Sequence, residues 1–296
     1  METQKSYETQ KSYETHPTGT LYLVPTPIGN LGDMTFRAVE VLKEVNWIAS
    51  EDTRNTRKLL THFDIDTQQL SFHEHNTKER IPHLITLLQA GDSIAQVSDA
   101  GMPSISDPGH ELVLACIEAA IPVVPLPGAN AGITALIASG LSPQPFTFIG
   151  FLKRKKKDQR QQWQLLKNKQ ETMIFYESPY RLKETVENLA AELGTDRQIV
   201  ICRELTKRYE EFIRGTAGQV LEWLDQNVVK GEICLMVGGN PDAEEVAEVV
   251  DFPEDLKEHV EEVMAAEQSS SKDAIKQVAK QRNIKKQEVY QAYHQI

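Results

Sequence analysis

Three segments of this 296-residue chain are built from residue types that let a backbone close around a small molecule. They are Pro25-Thr26-Pro27-Ile28-Gly29-Asn30, the stretch from Asp99-Ala100-Gly101-Met102 through Ile105 to Gly109, and Pro127-Gly128-Ala129-Asn130-Ala131-Gly132. Glycine permits close approach to a ligand, and proline stiffens the loop that makes it. Each segment follows a short β-branched run, so each stands at a strand's carboxyl end, where open parallel sheets bind their ligands. One such loop alone reads as a tight turn between strand and helix. Three at one sheet edge read as a small-molecule site. A fourth feature carries different chemistry. Lys153-Arg154-Lys155-Lys156-Lys157 is a run of five cations, a footprint for phosphates and not an element that reads bases. A merely solvated lysine run is the common alternative.

The elements that must position these loops are legible from periodicity. Strands are expected at 21–24, 47–49, 70–72, 94–98 and 123–126. Amphipathic helices lie between them, such as 35–45 with Ala38, Val39, Leu42 and Val45 on one face, and 77–89 with Ile81, Leu84, Ile85 and Leu88. Strands alternating with helices imply a largely parallel sheet covered on both faces. A second α/β unit follows, with strands at 146–149, 173–176, 198–202 and 233–237 and helices at 158–167, 179–193 and 217–224. The expected organisation is a disordered tail over 1–18, an N-terminal α/β domain over 19–140 and a second α/β domain with a mixed sheet over 141–240. An acidic linker over 241–270 and a small C-terminal helical module over 271–296 complete it. The tail repeats Glu2-Thr3-Gln4-Lys5-Ser6-Tyr7 as Glu8-Thr9-Gln10-Lys11-Ser12-Tyr13 and holds little apolar surface to bury. The module, helices 271–281 and 285–294, has the size of a helix-turn-helix, with docking or dimerisation an equal alternative.

Several chemistries are disfavoured. No G-x-G-x-x-G follows the first strand and no G-x-x-x-x-G-K-[ST] occurs, so neither a dinucleotide fold nor a P-loop is indicated. Cys116, Cys202 and Cys234 are scattered in apolar contexts and read as buried, reduced thiols. His73 and His75 flank Glu74 and, on a strand, would share one face. Exposed polar or RNA-contacting roles suit them better than a metal site, and no metal is expected. No apolar run reaches membrane-spanning length and the N-terminus lacks a signal-peptide core, so the expected location is the cytoplasm. The net charge of −11 conceals a contrast. Residues 241–268 carry eleven acids and one base, whereas residues 153–183 carry ten bases and three acids.

The motifs Val24-Pro25-Thr26-Pro27-Ile28-Gly29-Asn30-Leu31, Glu51-Asp52-Thr53-Arg54 and Val97-Ser98-Asp99-Ala100-Gly101 occur in this order. They are followed by Phe175-Tyr176-Glu177-Ser178-Pro179 with Arg181-Leu182, and by Cys202-Arg203-Glu204-Leu205-Thr206-Lys207. Together they resemble the small-subunit ribosomal RNA methyltransferase I family within the tetrapyrrole methylase superfamily. The similarity runs from Gly19 to Gly239 and returns in the C-terminal helices. It implies two α/β domains with S-adenosylmethionine (SAM) folded into the cleft between them, 2′-O-methylation of a cytidine at the ribosomal decoding centre, and a homodimer. Carried over by position, Asp99, Ala100, Gly101 and Ile105 would hold the methionine and ribose portions of SAM. Pro27, Gly29, Gly128, Tyr176 and Glu177 would line the rest. Where the family has Thr, this chain has Met102, and after Pro127-Gly128 it has Ala129-Asn130 in place of Pro and a small residue.

Methyl transfer from a sulfonium needs an in-line nucleophile, a dry cleft and a route for the hydroxyl proton. Positioning can supply roughly 7–11 kcal/mol of barrier reduction. A general base adds about 10²–10⁴-fold. Candidates for that base at the cleft are Glu51, Asp52, Glu177, Glu204 and Lys207. Pairing of Glu51 and Asp52 with Arg54 or Arg57, to shape the loop, is an equal alternative. RNA contact is expected from Lys153, Arg154, Lys155, Lys156 and Lys157, with Arg54, Arg57, Arg181 and His75 nearer the reaction. The expected partner is small-subunit rRNA or the assembled small subunit. Two rival readings are a SAM-dependent methylase of a tetrapyrrole-like small molecule and a non-catalytic ribosome-binding factor.

Overall fold

The computed structural model describes residues 9–12, 14–106, 109–243, 253, 255–267, 269–282 and 284–294. The chain forms two compact units, Met1–Asp242 and Ala243–Ile296. The first holds two α/β domains. In chain order the first domain contains β1 (Leu21–Leu23), α1 (Phe36–Glu44), β2 (Trp47–Ser50), α2 (Thr53–His62), β3 (Gln68–Ser71), α3 (Thr77–Gln89), β4 (Ile94–Val97), α4 (His110–Glu118), β5 (Val123–Pro125) and α5 (Ala131–Ser139). The second contains β6 (Phe146–Phe151), α6 (Lys156–Leu166), β7 (Thr172–Glu177), α7 (Leu182–Leu193), β8 (Gln198–Arg203), β9 (Glu211–Thr216), α8 (Ala217–Gln226) and β10 (Ile233–Val237).

The first sheet has order β3-β2-β4-β1-β5 and every pairing is parallel. Both faces are covered, as the β-branched strands require. Alternate residues of a strand point to opposite faces. Ile48, Ala95, Val97 and Val124 therefore meet Val41, Leu42 and Leu60 on one side. Leu21, Ala49 and Ile94 meet Leu84, Leu88, Leu112 and Cys116 on the other. Helix starts are capped from within: Thr35 accepts from the Ala38 amide, and Asn130 from the Ile133 amide.

The second sheet is mixed, as expected, with order β6-β7-β10-β8-β9; β6–β7 is parallel and the other pairs antiparallel. Its odd-facing residues Met173, Phe175, Ile199, Ile201, Ile233, Leu235 and Val237 pack against Trp163, Val186, Leu189 and Val220. The other face, with Ile174, Val200, Cys202, Cys234 and Met236, packs against Ala135 and Leu136 of α5. Helix α5, which sequence assigns to the first domain, thus covers the second sheet. Gly132 allows this approach, for a Cβ there would stand 3.3 Å from Ile174 and Phe148.

Some expectations are corrected. Strand β9 was not foreseen, because Glu211, Arg214 and Gly215 hide its alternation. Helix α7 begins at Leu182 and not at 179, since Pro179-Tyr180 form a turn. His73 to His75 lie on a turn after β3, so the imidazoles do not share a strand face; their rings stand edge-on at 6.0 Å. All three cysteines are buried and free. Of the N-terminal tail, residues 1–8 and 13 lie outside the described residues. Gln10 exchanges two hydrogen bonds with the backbone of Val123, at 2.9 and 2.8 Å, on the edge strand β5.

The second unit has three helices, α9 (Leu256–Glu267), α10 (Ser271–Gln281) and α11 (Lys286–His294). Its core joins Val260, Val263, Ala274, Ile275, Val278 and Val289. Helix α9 falls inside the stretch expected to be a linker. Leu256, Val260, Val263 and Met264 recur at helical spacing there, a signal drowned by the surrounding acids. Residues 244–252, 254, 268 and Asn283, part of the expected linker and of the turn before α11, lie outside the described residues. Among the described residues no helix is long and apolar enough to cross a membrane.

Candidate active site

The three glycine- and proline-rich loops do converge at the carboxyl edge of the first sheet. Thr26 and Gly101 form an antiparallel bridge, with hydrogen bonds of 2.9 Å from the Thr26 amide and 3.0 Å from the Gly101 amide. The Thr26 hydroxyl donates to the Ser98 carbonyl at 3.1 Å, and the Ser98 hydroxyl donates to the Gly101 carbonyl at 3.1 Å. Gly29 has φ +144°, and a Cβ there would come within 2.5 Å of the Lys207 side chain. Strain gathers in the same place. Of the six non-glycine residues with positive φ among those described, Ser106 lines the larger cavity described next, and Ser104, Glu204 and Thr206 flank its lining residues Ile105 and Leu205.

A cavity of about 420 Å³ opens between these loops and the second sheet. The first domain contributes Ile28, Glu51, Ser98 to Met102, Ile105, Ser106, Asn130 and Ala131. The second contributes Phe151, Tyr176 to Pro179, Cys202, Leu205 and Gly231 to Cys234. A smaller cavity of about 220 Å³ adjoins it, lined by Thr26, Pro27, Gly29, Leu31, Asn55, Thr56, Lys58, Leu59, Ser98 and Asp99. Of the residues expected to hold a cofactor, Asp99, Ala100, Gly101, Ile105, Tyr176 and Glu177 line the larger cavity. Pro27 and Gly29 line the smaller one. Gly128 lines neither; it packs on Pro25, where a Cβ would stand 2.5 Å from that ring. Met102 and Asn130, the two departures from the family pattern, touch each other: the Asn130 amide approaches Met102 Sδ at 3.8 Å.

The lining is apolar with an acidic rim: Glu51, Asp99, Glu177 and Glu232 line the larger cavity, and no described lining residue is Lys, Arg or His. Cys202 and Cys234 face it from the second sheet. Burial pushes the Cys202 thiol up to about 12 and the Cys234 thiol higher still, so both stay neutral. Burial also raises the Tyr176 phenol. Sequence reasoning missed Cys202, Cys234, Phe151 and Glu232. No local signal marks the cysteines, since the strands that carry them are apolar on both faces.

The five candidate bases differ in how far their groups are engaged. Glu177 is buried; its carboxylate accepts from the Thr185 hydroxyl at 2.7 Å and the Ser178 amide at 2.8 Å, with Arg181 at 3.5 Å. Thr185 in turn accepts from Gln159, which accepts from Asn188, all of them buried. Glu204 accepts from the Glu232 amide and from Lys207, both at 3.0 Å, which holds its carboxyl below the usual range. Burial pulls the Lys207 ammonium down, but its bonds to Glu232 at 2.8 Å and to Glu204 outweigh that and raise it. Asp52 caps α2 and pairs with Arg54 at 2.9 Å; the Arg54 guanidinium and amide hold it down at about 2. Among the described residues Glu51 accepts only a long bond, 3.4 Å, from the Asp99 amide. Burial first, and the neighbouring charges of Asp99, Asp52 and Glu74 next, raise its carboxyl above 4.5 against that bond.

The cations are placed unevenly. Lys153 to Lys157 are exposed, none makes an ion pair among the described residues, and the run leads from β6 into α6. Arg181 is turned inward instead. Its guanidinium donates to the Lys153 carbonyl at 3.0 Å and stands by Glu177, linking the basic run to the cavity wall. Arg54 is committed to Asp52, Arg57 is exposed on α2, and His75 is exposed on its turn outside both cavities. Among the described residues no group of three or more His, Cys, Asp or Glu could hold a metal.

Residues 20–221 match the sequence model of the Tetrapyrrole (Corrin/Porphyrin) Methylases. The chain belongs to that methylase family. Within it, the chain is 54% identical over 296 residues to a protein of Streptococcus pyogenes serotype M18 named ribosomal RNA small subunit methyltransferase I, covering all of both chains. It is 54% identical to the Bacillus subtilis protein of the same name, over 93% of this chain and 94% of that one. Among solved methylase structures, uroporphyrin-III C-methyltransferase from Thermus thermophilus complexed with S-adenosyl homocysteine shares the fold. Its TM-score is 0.53 and its identity 18%, over 74% of this chain and 97% of that one.

Proposed function

We propose that the protein is a SAM-dependent methyltransferase that methylates the ribose 2′-hydroxyl of a cytidine in small-subunit rRNA, at the decoding centre. The observation that carries this reading is the full-length 54% identity to proteins named for that RNA, spanning both domains and the C-terminal helices. The larger cavity suits the cofactor: it has room for a folded nucleoside, an apolar lining and four acidic residues, of which Glu177 and Glu232 are paired with Arg181 and Lys207, leaving Glu51 and Asp99 to favour a cationic sulfonium. When bound there, SAM supplies an activated methyl group. Asp99, Ala100, Gly101 and Ile105 would hold its polar end, and Tyr176 with the neutral thiols of Cys202 and Cys234 would pack against the rest.

Glu51 is the candidate base best placed to act. The Glu51 carboxylate would take the proton of the 2′-hydroxyl as that oxygen accepts the methyl group. Glu177, Glu204, Lys207 and Asp52 are already engaged in internal bonds and shape the walls. Lys153 to Lys157 would grip RNA phosphates at the cavity's mouth, the acceptor being the assembled small subunit or its rRNA. The working form is a cytoplasmic homodimer.

The test is labelled-methyl transfer from SAM to small subunits lacking their native modification, run against a tetrapyrrole acceptor and followed by nucleoside mass analysis. Appearance of 2′-O-methylcytidine is expected. Transfer only to the tetrapyrrole, or cofactor binding without transfer to RNA, would overturn the reading.

A further inference from the structure

We propose that the smaller cavity is the subsite for the acceptor nucleotide's base and that it selects an aminopyrimidine over its oxo counterpart. The proposal rests on the functional reading above and adds where the base sits and what recognises it. The two cavities share one wall, Ser98 and Asp99. A base held in the smaller cavity leaves its ribose at that wall, beside Glu51, whose carboxylate is 3.4 Å from the Asp99 amide. At about 220 Å³ the cavity is below the roughly 300–1,000 Å³ of sites that take a whole drug-sized ligand, a size for one planar ring.

Its chemistry matches such a ring. Pro27, Leu31 and Leu59 supply apolar surface for the ring faces. Asn55 and Lys58 lie three apart on α2 and so share one helix face. One N–H of the Asn55 amide donates to Asp99 at 3.1 Å, which fixes the side chain and keeps its carbonyl oxygen as an acceptor near the Asp99 carboxylate. Lys58 is exposed, makes no ion pair among the described residues, and offers the donor. Cytosine presents an amino donor where uracil presents a carbonyl acceptor. Acceptors at Asn55 and Asp99 therefore bind the first and repel the second, and Lys58 answers the remaining ring carbonyl.

The experiment uses the full chain and small subunits reconstituted with cytidine or uridine at the methylated position. Methyl transfer is measured for the wild type, Leu31→Trp and Asn55→Leu, together with S-adenosylhomocysteine affinity and thermal melting. Leu31 is 41% exposed, so the larger ring fills the cavity without burdening the core. Leu31→Trp should lower kcat/KM for the cytidine subunit at least tenfold. Asn55→Leu should reduce the preference for cytidine over uridine by roughly tenfold. Leu31→Trp should keep cofactor affinity within twofold. If the wild type methylates the subunit and both variants match it in rate and preference, the subsite proposal alone falls. If Leu31→Trp lowers cofactor affinity in parallel with its rate, Leu31 serves the larger cavity and the proposal is also overturned. If the wild type transfers no methyl to the subunit, the functional reading fails, and the subsite with it.

Discussion

The two sheets of the first unit meet at one cavity but contribute to it in opposite ways. The parallel sheet reaches it through loops: Ile28, Glu51, Ser98 to Met102 and Asn130 all stand beyond strand ends, with hydrogen bonds stitching Thr26, Ser98 and Gly101 together. The mixed sheet supplies mostly the body of its strands, with Tyr176, Cys202, Ile233 and Cys234 forming a wall that is mainly apolar. Loops on a rigid scaffold can be re-aimed one residue at a time, and so they carry recognition. A strand face is fixed by packing on its far side, and so it contains and dries the site. At the cavity, changes on the second sheet should therefore cost less recognition than changes in the loops of the first, while losses behind the second sheet's wall should cost stability.

That contrast can be broken at several points. The largest effect is expected behind the wall. Phe175 is fully buried against Trp163, and Phe175→Ala should cost about 3–5 kcal/mol in denaturant unfolding. A cost below about 1 kcal/mol would show that the wall is not held from behind. Next comes the loop side. Asp99→Asn removes a charge from the loop proposed to hold the polar end of SAM and should weaken SAM binding by about tenfold or more, the scale of a charged hydrogen bond. Cys234→Ala on the wall should change it less than about threefold on the same physical grounds. Equal losses from the two variants would erase the distinction. Neutralising Lys153 to Lys157 should leave SAM affinity intact and flatten the salt dependence of rRNA binding, by about 0.7 in log–log slope for each phosphate no longer neutralised. An unchanged slope would return the run to mere solvation.

The smallest effect is on stability at Glu51. Its folded-state carboxyl holds the proton more tightly than the unfolded chain does. Glu51 therefore favours the fold most at acid pH, and that contribution is lost as pH rises through its folded value. At neutral pH the ionised group opposes folding, so Glu51→Gln should raise Tm by a degree or so. A lowered Tm would mean that the carboxylate is needed structurally.

Much of the first sheet's role was legible in the sequence, and the reason is physical. A loop that wraps a ligand needs Gly and Pro at particular places, and Pro27, Gly29 and Asp99 to Gly101 announce themselves in a linear reading, whereas Gly128 packs on Pro25 outside both cavities. The wall was less legible. The run Ile233-Cys234-Leu235-Met236-Val237 is apolar on both faces, so nothing local says which face borders a cavity. Glu232 meets Glu204 and Lys207 across 28 and 25 residues of chain, a pairing no local spacing encodes. Arg181 looked like an RNA contact from its neighbours, and only the fold turns it toward Glu177 and the Lys153 carbonyl. In the second unit, α9 was hidden because its acids mask the four apolar residues that set its inner face.

Glu51 is the loop-borne group assigned to take the proton, and single-turnover methyl transfer by Glu51→Gln against the wild type tests this most directly. The wild-type rate should fall on the acid side with an apparent pKa above the ordinary glutamate range, because burial raises the carboxyl and it must be ionised to act. Glu51→Gln should lose about 10²–10⁴-fold in rate and lose that acid limb, with S-adenosylhomocysteine affinity unchanged. A variant that transfers at the wild-type rate, or one that is slow but keeps the same acid limb, would contradict the assignment.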